Sequence, residues 1–270
     1  MQNRTDTAFA GSIPEIYDRY LGPMIFEPYA AHLAQRLAGM TIESVLETAA
    51  GTGIVTRALA RSLRAGVSIV ATDLNQPMLD SAAARESSAR VTWRQADAQS
   101  LPFKDQSFDA VVCQFGVMFF PDKRAAYREA LRVLKPGGRF LFNVWDRIED
   151  NEIPHVVTEA LAAVFPQDPP RFLTRTPHGY HDPRVIRDDV EAAGFTHVEI
   201  ETVEQRSRAP SPRHPAIGFC QGTPLRNEIE ARDKSRLEEA TDAAATAVAA
   251  RFGAGTVDGK IQALVVTAVR

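Results

Sequence analysis

Only two cysteines, Cys113 and Cys220, occur in the 270 residues. That excludes a disulfide framework and a four-thiolate metal site, and the two read as reduced thiols filling core space. No stretch reaches the roughly 18 to 20 uninterrupted apolar residues that a membrane span needs. The N-terminus, with Arg4 and Asp6, lacks the long apolar segment of a secretion signal. An excess of one charge is also missing. With 31 Lys and Arg against 34 Asp and Glu, the net charge is −3, which excludes a surface built to attract nucleic-acid backbones everywhere. Internal repeats are absent as well, although residues 242–250 are locally poor in residue types. What remains, 44% hydrophobic and 24% charged, is the composition of an ordinary globular chain, long enough for one large α/β domain. A cytoplasmic protein without a membrane span is expected.

Between residues 42 and 146, short β-branched or apolar runs alternate with longer segments of helical period, the pattern of β-α units around a mostly parallel sheet. Strands are predicted over 43–47, 67–73, 91–95, 108–114 and 139–145, and helices over 54–62, 76–84 and 123–134. Lys135, Pro136, Gly137 and Gly138 stop the last of these helices and turn the chain. Upstream, 13–21 and 27–37 read as amphipathic helices split by Gly22 and Pro23. Downstream, a helix is predicted over 184–193, a strand over 196–204 and a final strand over 260–269, apolar enough for burial on both faces. The last two strands would close the sheet as a hairpin. Between them, 207–255 opens with Pro210, Pro212 and Pro215 and continues into an Ala-rich helix over 233–252 with a stripe at Leu237, Ala240, Ala244, Ala247 and Val248. Three parts follow: a helical cover over 1–40, a core over 41–206 plus 256–270, and an inserted cap over 207–255.

The first strand runs into Glu47-Thr48-Ala49-Ala50-Gly51-Thr52-Gly53, with a helix directly behind. Small residues let a ligand approach the backbone, and free N–H groups at a helix start favour an anionic or strongly polar group. As a bare turn, the same residues need no ligand. Asp73, 20 residues after Gly53 at the end of the second strand, sits where a carboxylate accepts from both hydroxyls of a ribose. A helix N-cap is the other reading of this acid. Nicotinamide-dependent oxidoreductases use the same plan but with G-x-G-x-x-G in the turn, and that spacing is missing.

The turn instead reads A-x-G-x-G. Four more stretches accompany it: Ala71-Thr72-Asp73-Leu74-Asn75 with Met78 and Leu79; Ala96-Asp97-Ala98 with Leu101-Pro102-Phe103; Ser107-Phe108-Asp109; and Leu134-Lys135-Pro136-Gly137-Gly138. In this order and spacing the chain resembles the class I S-adenosylmethionine-dependent methyltransferases, in particular the small-molecule group of the ubiquinone and menaquinone biosynthesis enzymes. The resemblance covers 42–146 and implies a doubly wound α/β fold, a seven-stranded mostly parallel sheet with an antiparallel terminal hairpin. It also implies that Glu47, Ala49, Gly51, Thr52 and Gly53 surround the methionine portion of S-adenosylmethionine. Asp73 would hold the ribose, Leu74 and Met78 would lie on the adenine side, Asp97 and Ala98 would meet the adenine edge, and Gln114 would stand near the methyl group. Family members usually carry glycine where Ala49 stands. If that position needs positive φ, alanine costs about 1 kcal/mol there.

Transfer of a methyl group from a sulfonium is an in-line displacement, so alignment in a dry pocket is the protein's main contribution. For a hydroxyl acceptor a base would help, and Tyr17, Tyr20, His178, Tyr180 and His181 are the candidates. Tyr17 and Tyr20, three apart, would share a helix face. His178, His181 and Asp182 make a poor metal set, and none is expected. Phe115, Met118, Phe119 and Phe120 serve either as core or as a stacking surface for a flat acceptor. Gln114-Phe115-Gly116-Val117 lacks the Asn/Asp-Pro-Pro-aromatic signature of base-directed nucleic-acid methyltransferases, so a small-molecule acceptor is expected and nucleic acid is not. Arg206, Arg208 and Arg213 read as a solvated loop or as marks of an acidic acceptor. The rival readings are a nucleotide-dependent oxidoreductase and a non-catalytic S-adenosylmethionine-binding module. The expected assembly is a monomer or homodimer.

Overall fold

The computed structural model describes residues 13–270, so residues 1–12 of the expected helical cover lie outside it. Its helices are α1 (Ile13–Ile16), a π-wound run Tyr17–Phe26, α2 (Glu27–Ala38), α3 (Ile54–Ser62), α4 (Gln76–Ala83), α5 (Lys123–Val133), α6 (Glu152–Val164), α7 (Phe172–Arg175), α8 (Pro183–Ala192), α9 (Arg213–Gln221), α10 (Leu225–Asp233) and α11 (Leu237–Phe252). The strands are β1 (Ser44–Glu47), β2 (Ser68–Asp73), β3 (Val91–Gln95), β4 (Phe108–Gln114), β5 (Leu134–Trp145), β6 (Thr196–Ala209) and β7 (Val257–Val269). Contacts divide the chain into two compact units. The first comprises Met1–Pro28, Trp145–Gly179 and Glu204–Gln262; the second comprises Tyr29–Val144, Tyr180–Val203 and Ala263–Arg270. These bounds differ from the three segments read from sequence, since 145–179 groups with the 207–255 stretch.

The sheet has seven strands in the order β3-β2-β1-β4-β5-β7-β6, the doubly wound arrangement expected. Strands β1 to β5 pair in parallel. The last strand runs the other way: Gly137 N–H reaches the Arg270 carbonyl, while Asp146 N–H, further along β5, reaches that of Gln262. Burial on both faces explains the apolar runs, because Val45, Leu46, Ala110, Val111 and Val112 have no exposed surface. In β7, Ile261 to Ala268 are buried without interruption, as the sequence predicted. Residues 135–138 end α5 but belong to β5 as a bulge. Phe108 pairs with Leu134 and Ala110 with Arg139, and Gly137 takes φ +75°.

Within the first unit the expected break at Gly22 and Pro23 does not occur. The chain winds through both residues as a π-helix, and Glu27 N–H donates to the Gly22 carbonyl. Wider winding absorbs a proline that lacks its own N–H, which an α-helix could not do without a kink. In the same unit α11 buries Ala240, Thr241, Ala244 and Val248 against α6 and α9.

Two non-glycine residues at the sheet's carboxyl end occupy the left-handed region, Ala49 (φ 54°) after β1 and Phe115 (φ 49°) after β4. The backbone at position 49 therefore takes the conformation that glycine would adopt freely. The Ala49 methyl group has room because position 116 lacks one. A Cβ on Gly116 would fall 2.5 Å from that of Ala49 and 2.7 Å from Cys113 Sγ, although φ −103° at 116 suits any residue. We expect Gly116→Ala to destabilise the fold by about 1 to 3 kcal/mol through overpacking. Ala49→Gly should stabilise it by about 1 kcal/mol and recover part of the Gly116→Ala loss when the two are combined. Urea unfolding of the four proteins checks this; strictly additive effects would refute the contact.

Candidate active site

The bend between β1 and α3 is shaped by its own hydrogen bonds and by two buried acids. Ala50 N–H donates to the Thr72 carbonyl and Gly53 N–H to that of Ala50, each at 2.9 Å. Gly51 and Gly53 have φ of +56° and +79°. At Gly53 a side chain is excluded by packing, since a Cβ would meet Trp93 Cη2 at 2.8 Å. At Gly51 a Cβ would meet nothing within 4 Å, so the backbone there fronts open space. Thr52 is buried and its Oγ1 has no hydrogen-bond partner. An orphaned hydroxyl beside an open backbone is what a polar ligand would satisfy.

Asp73 is the acid that both sequence readings singled out. Its Oδ2 accepts from Gly51 N–H and its Oδ1 from Asn75 N–H, each at 2.8 Å. It thus clamps the bend to the β2 end, and Asn75, not Asp73, occupies the N-cap of α4. Oδ1 also accepts from Asn75 Nδ2 at 3.4 Å, while Oδ2 has a second lone pair for a hydroxyl. Beside it Leu74 is 55% exposed, a large apolar side chain left in the open next to a buried acid. Met78, one turn into α4, is buried. Asp97 holds a tight turn through Gln99 N–H (2.8 Å to Oδ1) and is half-buried, as is Ala98.

Glu47 lies deeper, 1% exposed, and its Oε2 accepts from Thr56 Oγ1 at 2.5 Å, tying β1 to α3. Burial, reinforced by the nearby Asp73, pushes its carboxyl up to about 8. Burial also raises Asp73. Two acids held away from water in this way suit a cationic ligand.

Gln114 ends β4 half-buried, in register with Asn143 of β5. Sequence reasoning missed Asn143, whose Oδ1 accepts from Phe115 N–H at 2.9 Å while its buried Nδ2 has no partner. One polar residue within the apolar run Phe140 to Trp145 was the available signal. Phe115 and Met118 are buried, whereas Phe119 and Phe120 are half-buried. Both thiols are held up to about 12 by burial, as inert core cysteines should be.

The base candidates part company. In the first unit, Tyr17 stacks on Phe26 at 4.7 Å and Tyr20 meets His214 at 4.7 Å. The π winding turns positions three apart away from a common face. His178, 5% exposed in the same unit, sets its Nδ1 2.7 Å from the Asp146 carbonyl. A neutral imidazole donating there keeps Nε2 as its acceptor nitrogen. His181, half-buried, belongs to the second unit. There Tyr180 donates to Asp189 Oδ2 at 2.9 Å, and burial with that carboxylate drives its pKa upward, which unsuits it as a base. Asp182 caps α8 by accepting from Arg184 N–H. Among the described residues no three His, Cys, Asp or Glu side chains could hold a metal. Arg206, Arg208 and Arg213 do not lie in a solvated loop. The first two stand on β6 against Asp258, and Arg213 on α9 pairs with Glu238 and Asp242.

A methyltransferase-domain family profile matches residues 46–142. The chain is 33% identical over 185 residues to the ubiquinone/menaquinone biosynthesis C-methyltransferase UbiE of Caulobacter vibrioides, covering 62% of this chain and 73% of that one. Phosphoethanolamine N-methyltransferase 2 of Haemonchus contortus, solved in complex with S-adenosyl-L-methionine, shares the fold with TM-score 0.59 at 20% identity, over 95% of this chain and 56% of that one. The YcgJ protein of Bacillus subtilis does so with TM-score 0.57 at 20% identity, over 90% and 98%. The seven-stranded sheet with its acid-braced bend is that of a Rossmann-like methyltransferase. The chain belongs to the S-adenosylmethionine-dependent methyltransferases, and S-adenosylmethionine is its cofactor.

The buried acids dictate a pH response. Glu47 ionises near 4.5 when unfolded and near 8 when folded. Between those values the unfolded chain releases a proton that the folded one keeps, so stability falls as pH rises through this window and levels off above it. Asp73, also raised, adds to the same slope. Melting of the cofactor-free protein should therefore be highest near pH 5 and decline towards pH 8. Glu47→Gln, which can still accept from Thr56, should flatten that decline, by on the order of a few kcal/mol at pH 8. An unaltered slope in the variant would remove Glu47 as its source.

Proposed function

We propose that the protein transfers the methyl group to carbon, oxygen or nitrogen of a small molecule, and that the acceptor is a flat, conjugated ring of the phenol or quinol kind. The observation that carries this reading is the extent of the likeness to UbiE. It spans 62% of the chain, well beyond the 46–142 stretch that marks the methyltransferase domain. Sequence outside the cofactor half, where acceptor recognition resides, is therefore also shared, and that relative is named for C-methylation in ubiquinone and menaquinone biosynthesis.

S-adenosylmethionine supplies an activated methyl group on a sulfonium sulfur. On our reading Asp73 holds the ribose hydroxyls, Leu74 and Met78 lie to the adenine side, and Asp97 with Ala98 meets the adenine edge. Gly51 and Thr52 receive the amino-acid tail, with Glu47, Ala49 and Gly53 shaping the bend. Gln114 orients groups near the reacting carbon. For the acceptor, the first unit offers a file of rings. Tyr17 stacks on Phe26, Phe26 lies 6.1 Å from Trp145, and Trp145 lies 6.1 Å from His178. Rings so arranged favour planar apolar partners over small amines. His178 is our proposed general base, because the Asp146 carbonyl presets its tautomer. Tyr17, Tyr20 and His181 are assigned to the acceptor's surroundings. Nothing in this reading calls for nucleic acid, and we place the enzyme in the cytoplasm as a monomer or homodimer.

Two measurements test the assignments. S-adenosylmethionine should raise the melting temperature of the wild-type protein, and Asp73→Ala should abolish most of that rise; an equal rise in the variant refutes the ribose role. Incubation with methyl-labelled cofactor should label a demethylated quinol or phenol in preference to ethanolamine phosphate or an oligonucleotide. With that acceptor, His178→Gln should lower kcat by about 100-fold or more and remove the acidic limb of the pH profile. Labelling confined to an amine or a nucleic acid would overturn the proposed acceptor.

A further inference from the structure

The second unit holds a cavity of about 550 Å³ at the starting ends of β1, β4 and β5, the edge of the sheet opposite the Gly51–Gly53 bend. Arg36, Thr41, Asp109, Lys135, Gly137 and Arg139 are among its lining residues. Its size falls within the range of small-molecule sites. Its single acid is fully engaged. Asp109 Oδ2 accepts from the N–H groups of Glu43 and Ser44, each at 2.9 Å, and from Ser44 Oγ at 2.8 Å; Oδ1 accepts from Lys135 Nζ at 2.7 Å. These donors hold its pKa down to about 2, so Asp109 and Lys135 cancel each other's charge.

Two further guanidinium groups line it. Arg36 reaches the cavity from the last turn of α2 and pairs with Glu201 of β6, which does not line it. The side chain of Arg139, on the exposed side of β5, has neither a hydrogen bond nor an ion pair among the described residues. Between β5 and the solvent, Gly137 holds φ +75° with nothing within 4 Å of where a side chain would begin. Its lining thus carries two guanidinium forks besides the Asp109–Lys135 pair, Arg36 held by Glu201 from outside it and Arg139 unpaired among the described residues, around an acid that is already satisfied. Guanidinium forks match oxygen pairs on a single anion, and a multiply charged anion can occupy both.

We propose that this cavity is a second ligand site, distinct from the methyl-transfer centre, which binds a small multiply charged oxyanion through Arg36 and Arg139. A phosphate ester and a polycarboxylate share the recognised chemistry. Glu201 competes with the ligand for Arg36 and sets its affinity.

Thermal melting and calorimetric titration with pyrophosphate and, separately, citrate test the site, with sodium chloride matching the ionic strength. At least one of the two should bind wild-type protein saturably, and whichever does so identifies the class. Arg139→Gln should weaken that binding 10-fold or more while its response to S-adenosylmethionine stays that of the wild type, which also reports that it folds. Glu201→Gln, freeing Arg36, should tighten binding about 3- to 10-fold. Asp73→Ala should bind the anion normally. Absence of saturable binding by both probes overturns the proposal, as does equal binding by Arg139→Gln. Binding lost in Asp73→Ala but kept in Arg139→Gln would place the anion at the cofactor site and overturn it equally.

Discussion

The hydrogen bond from Gly51 N–H to Asp73 Oδ2 holds the active end of this molecule together. It fastens the bend after β1 to the tip of β2, and through Oδ1 the same carboxylate meets the first turn after β2 at Asn75. A bend of small residues, two of them glycines at positive φ, has little reason to keep one conformation in water. Here it is held from both sides, by Asp73 above and by Glu47 with Thr56 beneath. Backbone N–H groups stay open towards a ligand only because the bend does not collapse onto itself.

Ala49 belongs to the same constraint. An alanine in the left-handed region costs free energy, and its methyl group needs space that Gly116 alone provides. The departure at position 49 is therefore matched on the neighbouring strand end. Phe115, just before Gly116, is itself left-handed and is secured by Asn143 and by the edge of Tyr29, with ring centroids 5.3 Å apart. The two left-handed residues thus stand at the ends of the paired strands β1 and β4, each held by contacts from a neighbouring strand or helix.

Much of this was legible in the chain. Strands β1 to β4 lie within a residue of their predicted bounds, because short runs rich in Val, Ile or Phe end at polar residues, Glu47, Asp73, Gln95 and Gln114. The far end of β6 was not. Beyond Val203 its inward positions are Gln205, Ser207 and Ala209, so the alternation continues in burial but not in polarity. Gly22 and Pro23 read as a helix break because π winding has no sequence signature of its own. In the site, Asp73 was visible from spacing, whereas Asn143 was not. Its importance comes from one backbone N–H on a neighbouring strand, a contact 28 residues away that no local pattern records.

The two ends of the sheet in the second unit carry opposite electrostatic designs. At the carboxyl end Glu47 and Asp73 are buried with raised pKa values, so each is short of positive charge. A cationic ligand would answer that shortage: its arrival would favour the ionised carboxylates, and part of its binding energy would be relief of their burial. At the opposite end Asp109 is driven the other way by Lys135 and three further donors, and the cavity lining there also carries the Arg36 and Arg139 guanidinium groups. Parallel strands put every strand end of one kind on the same edge, so a sheet can hold two such edges without conflict. The three paired positions of the β1 to β4 ladder separate them.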